Sequence, residues 1–458
     1  MQIHRLWTTS ICTVPRLAVV SGAAGRELDR EVVRLALPAL LALVAEPLFL
    51  LADSAVVGRL GTVPLAALGV AAAALATVAS VCVFLAYATT ASVARSLGAG
   101  DLAGALRRGL DGMWLAAGIG MVAAVAGQPF ARAAVRALGG SGATLEGATA
   151  YLRIGLLGLP GMLVVLAATG VLRGLQDTRT PLVVGLGAAI ANTGLNIVLV
   201  HPVGLGLRGS AIGTAVVQVA MATVLSVPVV RAASARGVSW RPHAAGVGAV
   251  GRAGVPLLLR TVTLRAAMLL TTWVAARTPG GEPALAGHQI ASTAFGLLAM
   301  ALDALAIAAQ ALVGRWLGAG REDQARAVTA RMLVWGARGG AALGVLTLAL
   351  SPVLGPVFSS DPQVRHQLAA AMAVVALLQP LAGVVFVLDG VLIGAGDGPY
   401  LARAGLVTLA VYAPLALLVH ARGGGLVALW LAFGAFLLAR AVTLVVRWRQ
   451  DAWVRTGA

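Results

Sequence analysis

The chain has 458 residues, of which 59% are hydrophobic and 11% are charged, and its mean hydropathy is +0.92. Soluble proteins carry about 25% charged residues, so this composition excludes a soluble globular protein and indicates a polytopic membrane protein. The net charge of +17 does not indicate nucleic-acid binding, because the arginines lie in short loops and not on a patch with interleaved aromatic residues.

Apolar segments of about 20 residues recur along the chain, and each is long enough to cross a hydrocarbon core as a helix. They lack the strict alternation of a membrane β-barrel, so we predict an all-α membrane protein with about twelve transmembrane helices. The predicted spans are 33–57, 64–90, 109–127, 150–172, 182–203, 209–229, 254–276, 285–313, 329–351, 368–392, 403–420 and 425–446.

Alternate loops differ in their arginine content, which predicts the orientation in the membrane. The chain has no lysine, so arginine carries the whole signal. The loops after spans two, four, six and eight are the richer set, with Arg95, Arg107, Arg108, Arg173, Arg179, Arg231, Arg236, Arg241, Arg315, Arg321 and Arg326. By the positive-inside rule, both termini are predicted to be cytoplasmic. Residues 1–30 lack a signal-peptide core and are predicted to be a cytoplasmic extension.

Two sequence motifs are repeated at the same offset of 220 residues. The segment ARSLGAGD, which contains Leu97 and Gly98, returns as GRWLGAGR with Leu317 and Gly318, and GVLRG from Gly170 returns as GVLIG from Gly390. Each repeat holds six spans, so the two halves have the same orientation in the membrane.

The predicted domains follow from this repeat. They are a cytoplasmic extension (1–30), an N-lobe (31–229), a cytoplasmic linker (230–253), a C-lobe (254–446) and a cytoplasmic tail (447–458). Two lobes about a cleft are the architecture that alternating access requires.

The first span contains two acids and a proline, which are costly in lipid. An aspartate at the centre of a membrane helix costs about 2.5–3.5 kcal/mol on insertion scales, so Glu46 and Asp53 indicate ion or proton traffic. Pro47 removes an amide hydrogen and is expected to loosen the helix between them. The alternative is that both acids only make interhelical hydrogen bonds.

The fifth and sixth spans carry polar residues at the depth of Asp53. Asn192 and Asn196 are the only asparagines of the chain, and their spacing places both amides on one helix face. The rise per residue puts them and Thr214 in the outer half of the N-lobe, so we predict one cluster with Asp53. Ordinary interhelical hydrogen bonding remains the alternative.

The C-lobe has interior charges of its own. Arg260 and Arg265 lie in the seventh span and Asp303 in the eighth, and the similar depth of Arg260 and Asp303 predicts a buried ion pair. His288 is predicted to be structural, with a pH-sensing role as the alternative. No nucleotide-binding, metal-binding or hydrolase motif is found, and neither a disulfide nor a cofactor other than the coupling ion is expected.

Several motifs together resemble those of the multidrug and toxic compound extrusion (MATE) family, in its DinF-like branch. They are LADSAVVGRLG, ARSLGAGD, RGLQDTRTP, NTGLNIVLV followed by GLGLRGSAIGT, and HQI followed by LDALAIAAQALVG. The resemblance covers residues 31–446. It implies an antiporter that exports small organic, often cationic and hydrophobic, compounds in exchange for H⁺ or Na⁺. We expect the protein to be a monomer in a bacterial inner membrane.

The resemblance also implies roles for individual residues. Asp53 matches the coupling acid of the first helix, Asn192 matches the asparagine of a fifth-helix Asn-x-x-x-Asp pattern, and Thr214 matches the sixth-helix threonine. Asn196 stands where the family pattern has its second acid. Since Na⁺ prefers oxygen ligands with compensating charge, this departure favours H⁺.

Two other functions are weighed against this one. A lipid-linked precursor flippase shares the architecture but should have a strongly cationic cavity, for which the middle spans offer only Arg260 and Arg265. A membrane-embedded enzyme or scaffold would leave the repeat unexplained, and the sequence shows no set of residues with a catalytic pattern.

Overall fold

The computed structural model describes residues 23–457, apart from the side chains of Ala23, Ala24 and Glu46. This part of the chain forms thirteen α-helices. They are α1 (Ala23–Gly58), α2 (Thr62–Cys82), α3 (Phe84–Gly98), α4 (Leu102–Ala137), α5 (Gly142–Gly174), α6 (Arg179–Val200), α7 (Gly206–Ser234), α8 (Ala244–Ala275), α9 (Gly281–Gly318), α10 (Glu322–Phe358), α11 (Pro362–Gly394), α12 (Gly398–Ala421) and α13 (Leu426–Arg449).

Within residues 23–457, twelve helical segments are long and apolar enough to cross a membrane, which confirms the predicted fold class. Helices α2 and α3 form one of these spans, with an interruption at Val83 that the sequence did not predict. The helices extend beyond the predicted spans because hydropathy marks only the part in hydrocarbon. As a result α1 already begins at Ala23, and the segment between α7 and α8 is only 235–243.

The repeated LGAG motifs stop two helices in the same way. Gly100 and Gly320 have positive φ angles of 77° and 71°, which glycine adopts at little cost. The next amide of each motif then donates back into the helix: Asp101 N to Ser96 O at 3.0 Å, and Arg321 N to Trp316 O at 2.9 Å. These are Schellman C-caps, so α3 and α9 end at equivalent points. We call this end of the bundle the motif end.

Helices pack mainly within two sets, α1–α7 and α8–α13, here called the first and second halves. In the first half α5 packs against α2, α3, α4 and α7, and in the second half α11 packs against α9, α10 and α13. The halves meet where α3 and α1 pack against α9 and where α8 packs against α3 and α4.

The start of α1 is fixed to the second half by hydrogen bonds at the motif end. Asp29 accepts from Arg331 Nε at 2.7 Å and from the Trp335 indole at 2.8 Å. Further along, α1 continues as a helix through Pro38 and Pro47. Each proline lacks an amide hydrogen, so the carbonyl oxygens four residues earlier lose their usual helix partner. Asp53 therefore lies on a helix whose backbone hydrogen bonding is weakened by two prolines.

Candidate functional site

A buried polar cluster lies between α1, α6 and α7. Asp53 on α1 is 3% exposed, and Asn192 and Asn196 on α6 are fully buried. Asn192 Nδ2 donates to Asp53 Oδ1 at 2.9 Å, and Asn196 Nδ2 donates to the same oxygen. Thr214 Oγ1 on α7 donates to Asp53 Oδ2 at 3.5 Å. The structure therefore brings together the four residues that the sequence grouped by depth.

Both amides reach one carboxylate oxygen because their i, i+4 spacing stacks them on a single face of α6. The arrangement leaves their own oxygens free: Asn192 Oδ1 and Asn196 Oδ1 are buried and have no hydrogen-bond partner in the described structure. Both amides thus present a donor, and not their oxygen, to the carboxylate.

Three residues of this cluster were not singled out from the sequence. Tyr151 on α5 is 4% exposed, and its hydroxyl is near enough to the Asp53 carboxylate to interact with its charge. Ser210 on α7 is fully buried with an unpartnered hydroxyl. Gly213 faces Asn196 so closely that a Cβ atom at this position would overlap Asn196 Oδ1. Glycine and serine are too common in this chain to stand out, and Tyr151 lies on a span that carried no other signal.

The secondary residues of the first span have different outcomes. Pro47 lies within α1, as predicted. The side chain of Glu46 lies outside the described part of the structure, so its role stays a prediction.

A second buried cluster, in the second half, is built around Asp389 on α11. Its carboxylate accepts from Arg440 on α13 through three contacts of 2.7–3.1 Å and from Arg260 on α8 at 3.0 Å. All three side chains are buried, with residue exposures of 4%, 2% and 8% for Asp389, Arg440 and Arg260. Two cations therefore share one carboxylate in the interior.

The predicted ion pair between Arg260 and Asp303 is wrong, because the carboxylate within salt-bridge distance of Arg260 is Asp389. The sequence predicts how deep each residue lies in the membrane, but not which neighbouring helix its side chain faces. Helix α9 packs chiefly on α11 and α3 and only slightly on α8, which carries Arg260. Asp303 receives a hydrogen bond from Tyr87 on α3 at 3.5 Å.

The interior arginines predicted in the seventh span also differ in environment. Arg265 is exposed on the surface of α8, whereas Arg260 lies over the ring of Tyr87 at 5.6 Å from the centroid. Asp389 and Arg440 were missed by the sequence analysis, although a charge inside an apolar span is the signal that would have found them. No cluster of metal-ligating residues is found among residues 23–457.

Taken together, twelve spans in two repeated halves with a buried acid on a proline-containing helix are features of secondary transporters. A family model described as MatE matches residues 38–198 and 256–418, which is one match in each half. The chain belongs to the MATE family. It is a multi-pass membrane transporter and not an enzyme.

Individual relatives agree with this assignment. The chain is 31% identical to the protein DETOXIFICATION 44, chloroplastic, of Arabidopsis thaliana, over 94% of this chain and 83% of that one. It is 29% identical to the DNA damage-inducible protein F of Escherichia coli, over 92% of both chains. It is 30% identical to a probable multidrug resistance protein NorM of Pseudomonas putida, over 94% and 97%.

Solved structures have the same fold. A MOP superfamily transporter from Pyrococcus furiosus superposes with a TM-score of 0.84 at 20% identity, over 94% of this chain and 97% of that one. A multidrug resistance MATE transporter in an outward-facing conformation gives 0.82 at 19% identity, over 93% and 96%. At these identities the likeness supports the fold alone.

Proposed function

We propose that the protein is a proton-coupled exporter of small organic compounds, often cationic and hydrophobic, that works by alternating access. The export role is supported by the family and by relatives that are named multidrug resistance proteins. The observation that carries the coupling role is the Asp53 carboxylate, buried in the membrane and hydrogen-bonded from two other helices. A buried intramembrane acid of this kind is costly to keep without a functional reason.

The coupling ion is proposed to be H⁺ and not Na⁺. Sodium needs several oxygen ligands with compensating negative charge. Among the side chains that the structure describes, Asp53 is the one carboxylate of its cluster, and residue 196 is an asparagine. Both asparagines also turn a nitrogen, and not an oxygen, toward Asp53. Amide donors next to the carboxylate occupy the positions that ligand oxygens would need.

A proton on Asp53 can be accommodated by the same partners. An amide carries donors on its nitrogen and an acceptor on its oxygen. If the Asn196 amide turns by half a rotation, its unpartnered Oδ1 accepts a hydrogen bond from the protonated carboxyl group of Asp53. The contact then persists between neutral groups, which are held less strongly than a carboxylate and its donors. Proton uptake thus weakens the connection of α1 to α6.

The coupling is proposed to act through helix movement. Asp53 is 3% exposed, so a bulky cation has no access to its carboxylate in this conformation. Protonation loosens α1, whose helix already lacks a hydrogen bond at Pro47, and the shift of α1 releases the substrate. Deprotonation on the opposite side restores the contacts and the negative charge.

We further propose that the protein lies in a bacterial plasma membrane as a monomer. The motif end would face the cytoplasm, as would both termini, because the arginine-rich loops lie at that end.

The function is tested with purified protein in liposomes that carry an imposed proton gradient, with a fluorescent cationic dye as substrate. Asp53→Asn keeps an oxygen that accepts from the two asparagines, so the fold should be retained while proton-driven efflux is abolished. Glu282→Gln, at an exposed acid near the start of α9, is the control and should transport normally. Efflux that persists in Asp53→Asn would exclude the coupling role. Efflux driven by a sodium gradient alone would exclude H⁺ as the coupling ion.

The flippase alternative is less well supported by the interior charges. A pyrophosphate-binding cavity needs free cations, whereas Arg260 and Arg440 are both bound to Asp389. Neither guanidinium can bind a pyrophosphate group without giving up its buried ion pair with Asp389.

A further inference from the structure

The motif end holds a pair of contacts that the coupling site does not use. Arg95 and Arg315 are equivalent residues of the repeated motif Arg-x-Leu-Gly-Ala-Gly. We propose that the two copies of this motif form the gate of the transporter at the motif end, in which each arginine latches its own half to the other. The assignment deepens the proposed alternating-access function and rests on it.

The first latch runs from the first half to the second. Arg95 on α3 donates to the carbonyl oxygen of Ala395 at 2.8 Å, at the end of α11. It also donates to the carbonyls of Arg455 at 2.8 Å and of Gly457 at 2.7 Å, in the segment after α13. All the hydrogen-bond acceptors of this guanidinium in the described structure therefore lie after α10, in the second half or in the segment that follows it.

The second latch runs in the opposite direction. Arg315 on α9 donates to Gln176 Oε1 at 2.9 Å, at the end of α5, and to Glu31 Oε1 at 3.2 Å, on α1. Both acceptors lie in the first half. The loops that accept are equivalent, since α5 and α11 end in the repeated motifs GVLRG and GVLIG. The two latches thus join equivalent arginines to equivalent loops, with main-chain acceptors for Arg95 and side-chain acceptors for Arg315.

The backbones of the two motifs are in direct contact between the latches. A Cβ atom on Gly98 would lie 2.7 Å from the carbonyl carbon of Arg315, and one on Gly318 would lie 2.7 Å from that of Arg95. Only glycine permits this reciprocal approach, because any side chain would have to displace rigid backbone. Nearby, Gln310 on α9 donates to the Tyr87 carbonyl on α3 at 2.6 Å. The halves are closed at this end.

Gln176 gives independent support for a functional latch. It has a positive φ of 64°, where the other repeat has Gly396 with φ 74°. A left-handed conformation is unfavourable for a residue with a Cβ atom. Glycine would suit the backbone better, yet the chain has a glutamine whose side chain receives the hydrogen bond from Arg315. The strain is explained if the side chain is needed to hold the gate.

Alternating access requires that these contacts separate when the cleft opens at the motif end. Hydrogen bonds of a charged donor are among the stronger contacts in proteins, so the latches stabilise the closed state. The conformational equilibrium should therefore move toward the open state when a latch is removed or when the glycine contact is widened.

The gate is tested by measuring the separation of the halves with spin labels. Labels are placed on Ala103→Cys and Asp323→Cys, which are exposed and equivalent residues just beyond the two motifs. The background carries Cys12→Ser and Cys82→Ala, and the protein is in lipid nanodiscs without substrate or gradient. The measurement reads the gate directly, so it does not depend on the coupling ion or on the role of Asp53.

Three variants widen or unlatch the gate by different means. They are Gly98→Ala, the double variant Arg95→Ala with Arg315→Ala, and Gln176→Gly. Each is expected to raise the ratio of the long-distance to the short-distance population about tenfold. Gly118→Ala and Arg236→Ala are matched controls, since Gly118 has open space and Arg236 bonds only to its own helix. The controls should keep the parental distance distribution.

Gln176→Gly separates a gate from a purely structural contact. Glycine relieves the left-handed backbone, so a structural role predicts equal or higher thermal stability and unchanged distances. A latch predicts a larger open population without a loss of thermal stability. Unchanged distance distributions in Gln176→Gly and in Gly98→Ala would overturn the proposal.

Discussion

The charge cluster around Asp389 allows a prediction whose size follows from its contacts. Asp389 is the carboxylate that two buried arginines share, and it receives one hydrogen bond from Arg260 and three from Arg440. Replacing it by asparagine leaves both cations uncompensated in the interior. Breaking a buried ion pair in this way costs about 3–5 kcal/mol. Asp389→Asn should therefore lower the apparent melting temperature by on the order of 5–10 °C.

The unequal contacts also predict an order among the three single variants. Arg440→Ala removes the bidentate partner and should be nearly as harmful as Asp389→Asn. Arg260→Ala removes one hydrogen bond to a charged group, worth about 1.5–3 kcal/mol, and leaves Asp389 paired. The expected order of destabilisation is Asp389→Asn, then Arg440→Ala, then Arg260→Ala.

The assay is thermal unfolding of detergent-solubilised protein at a fixed heating rate, followed by tryptophan fluorescence. Arg403→Ala is the control, because Arg403 is hydrogen-bonded to its own helix and is on the exposed surface. The reasoning would be refuted if Asp389→Asn melted with the parent, or if Arg260→Ala were more harmful than Arg440→Ala. Either result would mean that the cluster is not held together by the shared carboxylate.

Two further predictions concern the Asp53 cluster. Gly213→Ala should push the Asn196 amide away from Asp53 and lower proton-driven dye efflux about tenfold, since a hydrogen bond to a charged group is lost. Gly194→Ala is the control: Gly194 lies on α6, the helix that carries Asn196, and has open space around it, so this variant should transport normally. Asn196→Asp restores a second carboxylate, so a sodium gradient should begin to drive efflux. Normal efflux in Gly213→Ala, or no response of Asn196→Asp to sodium, would contradict these expectations.

The sequence was sufficient for the architecture because each span is a local property. An apolar run of about 20 residues forms a membrane helix regardless of its partners, since every backbone polar group must be satisfied within the segment. The Asp53 cluster was predictable for a related reason. Its members are rare polar residues at matched depth, and the spacing of Asn192 and Asn196 fixes a common face.

The C-terminal charges were not predictable in the same way, because depth leaves the rotation of a helix undetermined. Arg260 has acids at similar depth on two helices, and in the assembled structure Asp389 on α11, and not Asp303 on α9, lies within salt-bridge distance of it. The hydrogen bond from Tyr87 to Asp303 crosses between the halves, and no local pattern in either segment encodes it. Contacts between elements that are far apart in sequence need the assembled structure.

The repeat is retained in some parts of the protein and lost in others, and the difference follows from what each part must do. At the motif end both halves keep arginine and glycine, because two equivalent helices that cross must present the same surface to each other. The helices that surround the buried sites have no such requirement. Helix α6 carries the two asparagines, whereas α12, its counterpart in the second half, places Tyr412 among Phe433 and Phe436.

This division has a consequence for coupling. The first half holds an acid whose partners can exchange donor for acceptor, and the second half holds an acid fixed by two arginines. In the proposed mechanism, a proton that binds in the first half changes the contacts of α1, while the ion pairs of the second half keep its helices together as α1 moves. Coupling therefore needs only one responsive half, provided that the symmetric contacts at the motif end transmit its movement to the other.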